Sequence, residues 1–113
     1  METKLYPQRE MIYTQHPIYA NIKTAMFITS RETNMANVCL LEIEPFSEVP
    51  IHKHEDRSAS VFVVGGQGEA YVNGSWEPIA AGDYLFIPVQ GEHGTRNTGA
   101  DPLRLFVHHS PPL

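Results

Sequence analysis

Turn-forming residues recur along this chain at intervals too short for helices. Gly65-Gly66-Gln67-Gly68, Asn73-Gly74, Ala81-Gly82-Asp83 and Gly99-Ala100-Asp101-Pro102 break it into short segments rich in β-branched and aromatic residues. No segment of helical length combines a 3.6-residue period with capping residues, so the pattern is all-β. The expected strands are Ala25 to Thr29, Val38 to Glu44, Ser60 to Val64, Glu69 to Val72, Tyr84 to Ile87 and Leu103 to His108, with short strands at His52 to His54 and His93 to Thr95. Asn73-Gly74 is the strongest hairpin signal, because a type I′ turn needs positive φ at both central residues. Strands spaced eight to twelve residues apart suggest a sandwich or barrel, with residues 1–24 as an arm or edge extension and 25–109 as the barrel.

The 113 residues suit one domain and leave no room for a separate cofactor domain. A net charge of -5 offers no basic surface for nucleic acid. The N-terminal residues lack a signal-peptide core, and no apolar run is long enough to span a bilayer, so a soluble cytoplasmic protein is expected. The single cysteine, Cys39, lies in an apolar strand pattern and is expected to be buried and non-catalytic.

Chemistry concentrates in the histidines. His52 and His54 are separated by one residue, and on a strand such a pair shares a face. His93 supplies a third imidazole. Three imidazoles bind Fe, Zn, Ni or Mn and leave coordination positions open. On the last strand one of His108 and His109 must face inward, where it could shuttle a proton, and His108 is a candidate pocket residue. Ser58, Ser60, Tyr71 and Asn97 complete the candidate pocket, with Asn97 expected to tie a loop by its amide. Phe62, Tyr71, Trp76, Tyr84, Phe86 and Phe106 are expected in the core or lining an apolar pocket, alongside Val63, Ile87 and Leu105. His16, before Pro17, reads as a solvated residue.

The stretch Pro50 to Gly68, with His52-x-His54 ahead of Val61-Phe62-Val63-Val64-Gly65-Gly66-Gln67-Gly68, resembles the first motif of the cupin superfamily. Gly82, Pro88, His93 and Asn97 fall at the spacings of its second motif. The resemblance covers about residues 40 to 109 and implies a double-stranded β-helix, or jelly roll, with a metal inside. Two positions depart from it. Ala59 stands where the family places a glutamate ligand, and Gln90 replaces a glycine, with Gly91 expected to accommodate that turn. Glu55, Asp56, Ser58 or Ser60 could supply a fourth ligand only through a bulge or register shift. Three neutral imidazoles leave a divalent ion its full charge, which favours anionic ligands. The site resembles three-histidine cupin dioxygenases in ligand type. An Fe(II)-type dioxygenase acting on a small, anionic organic molecule is the leading expectation. Non-redox isomerase or lyase chemistry on Zn, Ni or Mn, and a non-catalytic small-ligand binder, are the alternatives. By analogy with small cupins, a homodimer is expected, formed through an edge strand or the N-terminal arm.

Overall fold

The computed structural model describes residues 2–113. Among the described residues ten strands follow a single 3-10 turn at Gln8–Glu10: β1 Thr14–Gln15, β2 Ile22–Ile28, β3 Asn37–Ile43, β4 Glu48–His52, β5 Ser58–Gly65, β6 Gln67–Val72, β7 Ser75–Ala80, β8 Tyr84–Ile87, β9 His93–Arg96 and β10 Leu103–Ser110. They form a six-stranded sheet in the order β1-β2-β3-β10-β5-β8 and a four-stranded sheet in the order β4-β9-β6-β7. Every pairing is antiparallel. The all-β double-stranded β-helix expected from the sequence is the fold observed.

Alternation along the strands builds the interior. On β10, Leu103, Leu105, Val107 and His109 are buried while Arg104, Phe106 and Ser110 are exposed. On β5, Ala59, Val61 and Val63 point inward. Leu103, Leu105, Val107, Val61 and Val63 join Ile22, Cys39, Ile43, Val49, Ala70 and Ile79 in one continuous core between the sheets. Among the described residues no helix is long and apolar enough to cross a membrane.

Turn chemistry agrees with the sequence at Asn73 (φ 48°) and Gly74 (φ 93°), which join β6 and β7 with Val72 opposite Ser75. The strand β7 was not anticipated in full, because Pro78 interrupts its pattern. It lies at the edge of its sheet, where a missing N–H costs little. β2 begins at Ile22, inside the stretch expected as an arm, and β1 pairs with it as an edge strand.

Three aromatic residues depart from expectation. Phe62, Tyr84 and Phe106 are 44%, 58% and 38% exposed and belong neither to the core nor to the cavity wall, whereas Phe86, 61% exposed, does line the cavity. Each occupies the outward parity of its strand, so tertiary placement outweighs hydrophobicity. Val63 and Leu105 are core residues, and Ile87 packs against them.

Candidate metal centre

β4 and β9 pair so that His52 lies directly opposite His93. Their ring centroids are 4.1 Å apart. A register shift between Val49 and His52 bulges β4, and bulges re-aim the side chains that follow. His54 is not on this strand: β4 ends at His52, and His54 lies in the loop before β5. It reaches the site because the N–H of Gln90 donates to the His54 carbonyl at 2.8 Å, tying this loop to the one before His93. The His54 ring lies 5.0 Å from that of His52 and 5.4 Å from that of His93.

One potential ligand atom from each of the three histidines lies within 4.8 Å of the others, and among the described residues no carboxylate joins the group. The tautomers suit a metal. Nδ1 of His52 donates to the Pro50 carbonyl at 2.8 Å and Nδ1 of His93 to the Gly91 carbonyl at 2.9 Å. A proton on Nδ1 leaves the Nε2 lone pair free to ligate, the usual outer support of a metal-bound imidazole. Burial lowers the pKa of His54, and the charge of His52 lowers it further. Burial also lowers that of His93, against the opposing pull of its bond to Gly91. Both effects favour the neutral, ligating form.

The centre opens into a cavity of about 710 Å³, within the range of small-molecule sites. Its walls include Leu41, Val61, Leu85, Leu105 and Val107, and its polar lining residues include Thr24, Asn37, Tyr71, Gln90, Glu92 and Thr95. Ala59 lines it too, so the position expected to carry a ligating carboxylate faces the site with only a methyl group. Burial pushes the Cys39 thiol up, away from the reactive thiolate.

Several sequence candidates are placed elsewhere. Ser58 and Ser60 occupy the outward parity of β5, where Ser60 bonds to the Tyr84 hydroxyl at 2.7 Å. His108 is on the outer side of β10, and the buried ring beside the site is His109, 5.3 Å from the His54 ring. Burial brings the pKa of His109 down to about 4, aided by the charges of His54 and Arg57. Tyr71 does reach the cavity and stacks edgewise on Trp76. Asn97 is buried away from it, donating to the carbonyls of Ile43 and Asp101. Glu55 and Asp56 are exposed, and Asp56 pairs with Arg57 at 2.9 Å.

The arm contributes more than the sequence suggested. His16 is not merely solvated, since its Nδ1 accepts from the N–H groups of Ile18 and Tyr19 and its ring stacks on Tyr19. Tyr19 in turn stands 6.5 Å from His52, and both arm residues line the cavity. The three-residue His-Pro-x-Tyr spacing carried no recognisable signal for this.

The family model described as a cupin domain matches residues 39–109. The chain belongs to the cupin family. It is 36% identical over 67 residues to an "Oxalate-binding protein" of Thermotoga maritima, covering 59% of this chain and 55% of that one. It is 32% identical over 69 residues to "Polyketide synthase CurC" of Streptomyces cyaneus, covering 61% of this chain and 45% of that one. The chain thus spans about half the length of these curated relatives. The structure of KdgF from Halomonas sp. superposes with a TM-score of 0.85 at 18% identity, over 99% of this cupin and 96% of that chain. Three histidines positioned to hold a metal ion fit this family assignment.

Proposed function

We propose that this cupin is a divalent-metal-dependent enzyme acting on a small, largely apolar anion. The observation that carries this reading is the convergence of His52, His54 and His93 at an apolar cavity, with Ala59 in place of a carboxylate. Bound there, Fe, Zn, Ni or Mn would supply Lewis acidity, and Fe(II) would in addition supply one-electron chemistry with dioxygen. The protein's part is to hold three neutral imidazoles, exclude water with aliphatic walls and accept a ligand through the open face. Fe(II)-dependent dioxygenation matches the ligand set. Non-redox chemistry on Zn, Ni or Mn is the second reading, favoured by relatives named for oxalate binding and polyketide synthesis, names that do not point to oxygen chemistry.

Elemental analysis of protein purified without a histidine tag tests the metal, with about one ion per chain expected and its loss expected in His52→Ala, His54→Ala and His93→Ala. Oxygen uptake by the Fe(II)-loaded protein with a panel of aromatic and aliphatic carboxylates then tests the reaction. Conversion without oxygen uptake on zinc- or manganese-loaded protein would favour the non-redox reading. Tight binding without conversion would reduce the protein to a binding cupin. We further propose a cytoplasmic homodimer.

A further inference from the structure

Asn37 on β3, His109 on β10 and Ala59 on β5 form one cross-strand row, His109 being the register partner of both others. All three line the cavity. The His109 residue is 8% exposed, and its ring stands perpendicular to that of His54.

Hydrogen bonds along this row assign the protons. The backbone N–H of Leu113 donates to Oδ1 of Asn37 at 2.7 Å. A backbone N–H only donates, so the oxygen of the Asn37 amide faces Leu113 and its NH₂ group faces His109. Nδ2 of Asn37 lies 3.2 Å from Nδ1 of His109. An amide nitrogen also only donates, so Nδ1 must offer its lone pair and the neutral ring carries its proton on Nε2. This is the tautomer opposite to that of His52 and His93, and Nε2–H cannot ligate a metal. Among the described residues Nε2 has no hydrogen-bond partner, while no fully buried side-chain nitrogen or oxygen lacks one, so Nε2 opens to the cavity. The two nitrogens of an imidazole point to nearly opposite sides. With Nδ1 turned to β3, Nε2 points away from β3 into the cavity, whose wall on the β5 side is Ala59.

We propose that His109 is the anion-positioning residue of this centre, donating Nε2–H to a negatively charged oxygen of a small ligand held at the open face of His52, His54 and His93. The proposal rests on the metal reading above. A glutamate at position 59 would present negative charge to the same space and repel such an oxygen. Ala59 removes that charge, and His109 puts a donor where the family pattern has an acceptor. Most of the surrounding wall is apolar, so the ligand class is a carboxylate or enolate attached to an apolar body. Asn37 positions the ring and does not touch the ligand.

Two measurements decide it. In metal-free protein with ¹⁵N-labelled histidine, the His109 ring, assigned by its disappearance in His109→Gln, should show a pyridine-type Nδ1 and a pyrrole-type Nε2. Asn37→Leu should release that preference. In zinc-loaded protein, calorimetric titration with formate and oxalate should show binding roughly ten- to a hundredfold weaker in His109→Phe. His109→Gln, which keeps an N–H donor, should retain part of the affinity, and Ala59→Glu should lose it. Zinc stoichiometry should stay at the wild-type value in both His109 variants. A protonated Nδ1, or unchanged anion affinity in zinc-loaded His109→Phe, would overturn the proposal alone. A wild-type protein that takes up no zinc would overturn the metal reading and the proposal with it.

Discussion

Burial keeps the ring of His109 uncharged in the folded protein, and this links the site to acid stability. In an unfolded chain an imidazole titrates near 6.5, whereas here it titrates at about 4. Between those values unfolding takes up a proton, so stability is fully present above about pH 6.5 and declines as pH falls toward 4. After allowance for solvent screening the loss is on the order of 2 kcal/mol. Urea unfolding of metal-free protein at pH 7 and at pH 4.5 should show this difference, and His109→Gln should reduce it. Loss of metal on acidification should run the same way, since protonated imidazoles do not ligate. The lowered pKa values of His54 and His93 delay that loss to a pH below the ordinary histidine range. His52, His54 and His93 were legible because they fall within spaced motifs. His109 was not, because alternation dictates that one of two adjacent histidines faces inward, while the pairing of β10 between β3 and β5 decides which.

Elements bring distant motifs together, and Gln90 shows the cost. Gly91 does not absorb the turn, as the sequence suggested it would. Gln90 itself adopts φ 63°, the left-handed region where the family pattern has glycine. Its N–H bonds to the His54 carbonyl, so the strained residue holds a metal-site loop. Gln90→Gly should relieve about 1–2 kcal/mol of backbone strain, offset by the greater freedom glycine has when unfolded, for a net gain of about 0.5–1 kcal/mol in denaturant unfolding. Zinc stoichiometry should not change, because the hydrogen bond is made by the backbone. Gly68 is the opposite case. A Cβ there would press on the Arg96 carbonyl and lie 2.9 Å from Cδ2 of Leu103, so Gly68→Ala should destabilise by about 1–3 kcal/mol. Turn glycines and the strand pattern were readable from the chain. The outward placement of Phe62 and Phe106 was not, because it depends on which face of the sheet the second sheet covers.

Across the whole molecule, that outer face is the feature a monomer leaves unexplained. Ala25, Leu40, Phe106, Phe62 and Tyr84 are successive register partners across β2, β3, β10, β5 and β8. The arm covers one end of this row: Tyr6 packs edgewise on Phe27, and residues 4–7 lie beside Ala25. The other end is bare, and Phe86 and Val64 extend it. A contiguous apolar patch of this kind marks an interface, and a sheet face that meets its own copy about a two-fold axis buries the same residues twice. Arg104 and Glu42, paired at 3.4 Å, border the row and supply a polar rim. A homodimer through this face would remove about half of each exposed aromatic ring from water, at roughly 25 cal/mol per Å². Light scattering of the wild-type protein should therefore give twice the chain mass, and Phe62→Glu with Phe106→Glu should give a monomer. Because both side chains point away from the cavity, the double variant should keep its metal stoichiometry. A monomeric wild type would overturn the homodimer.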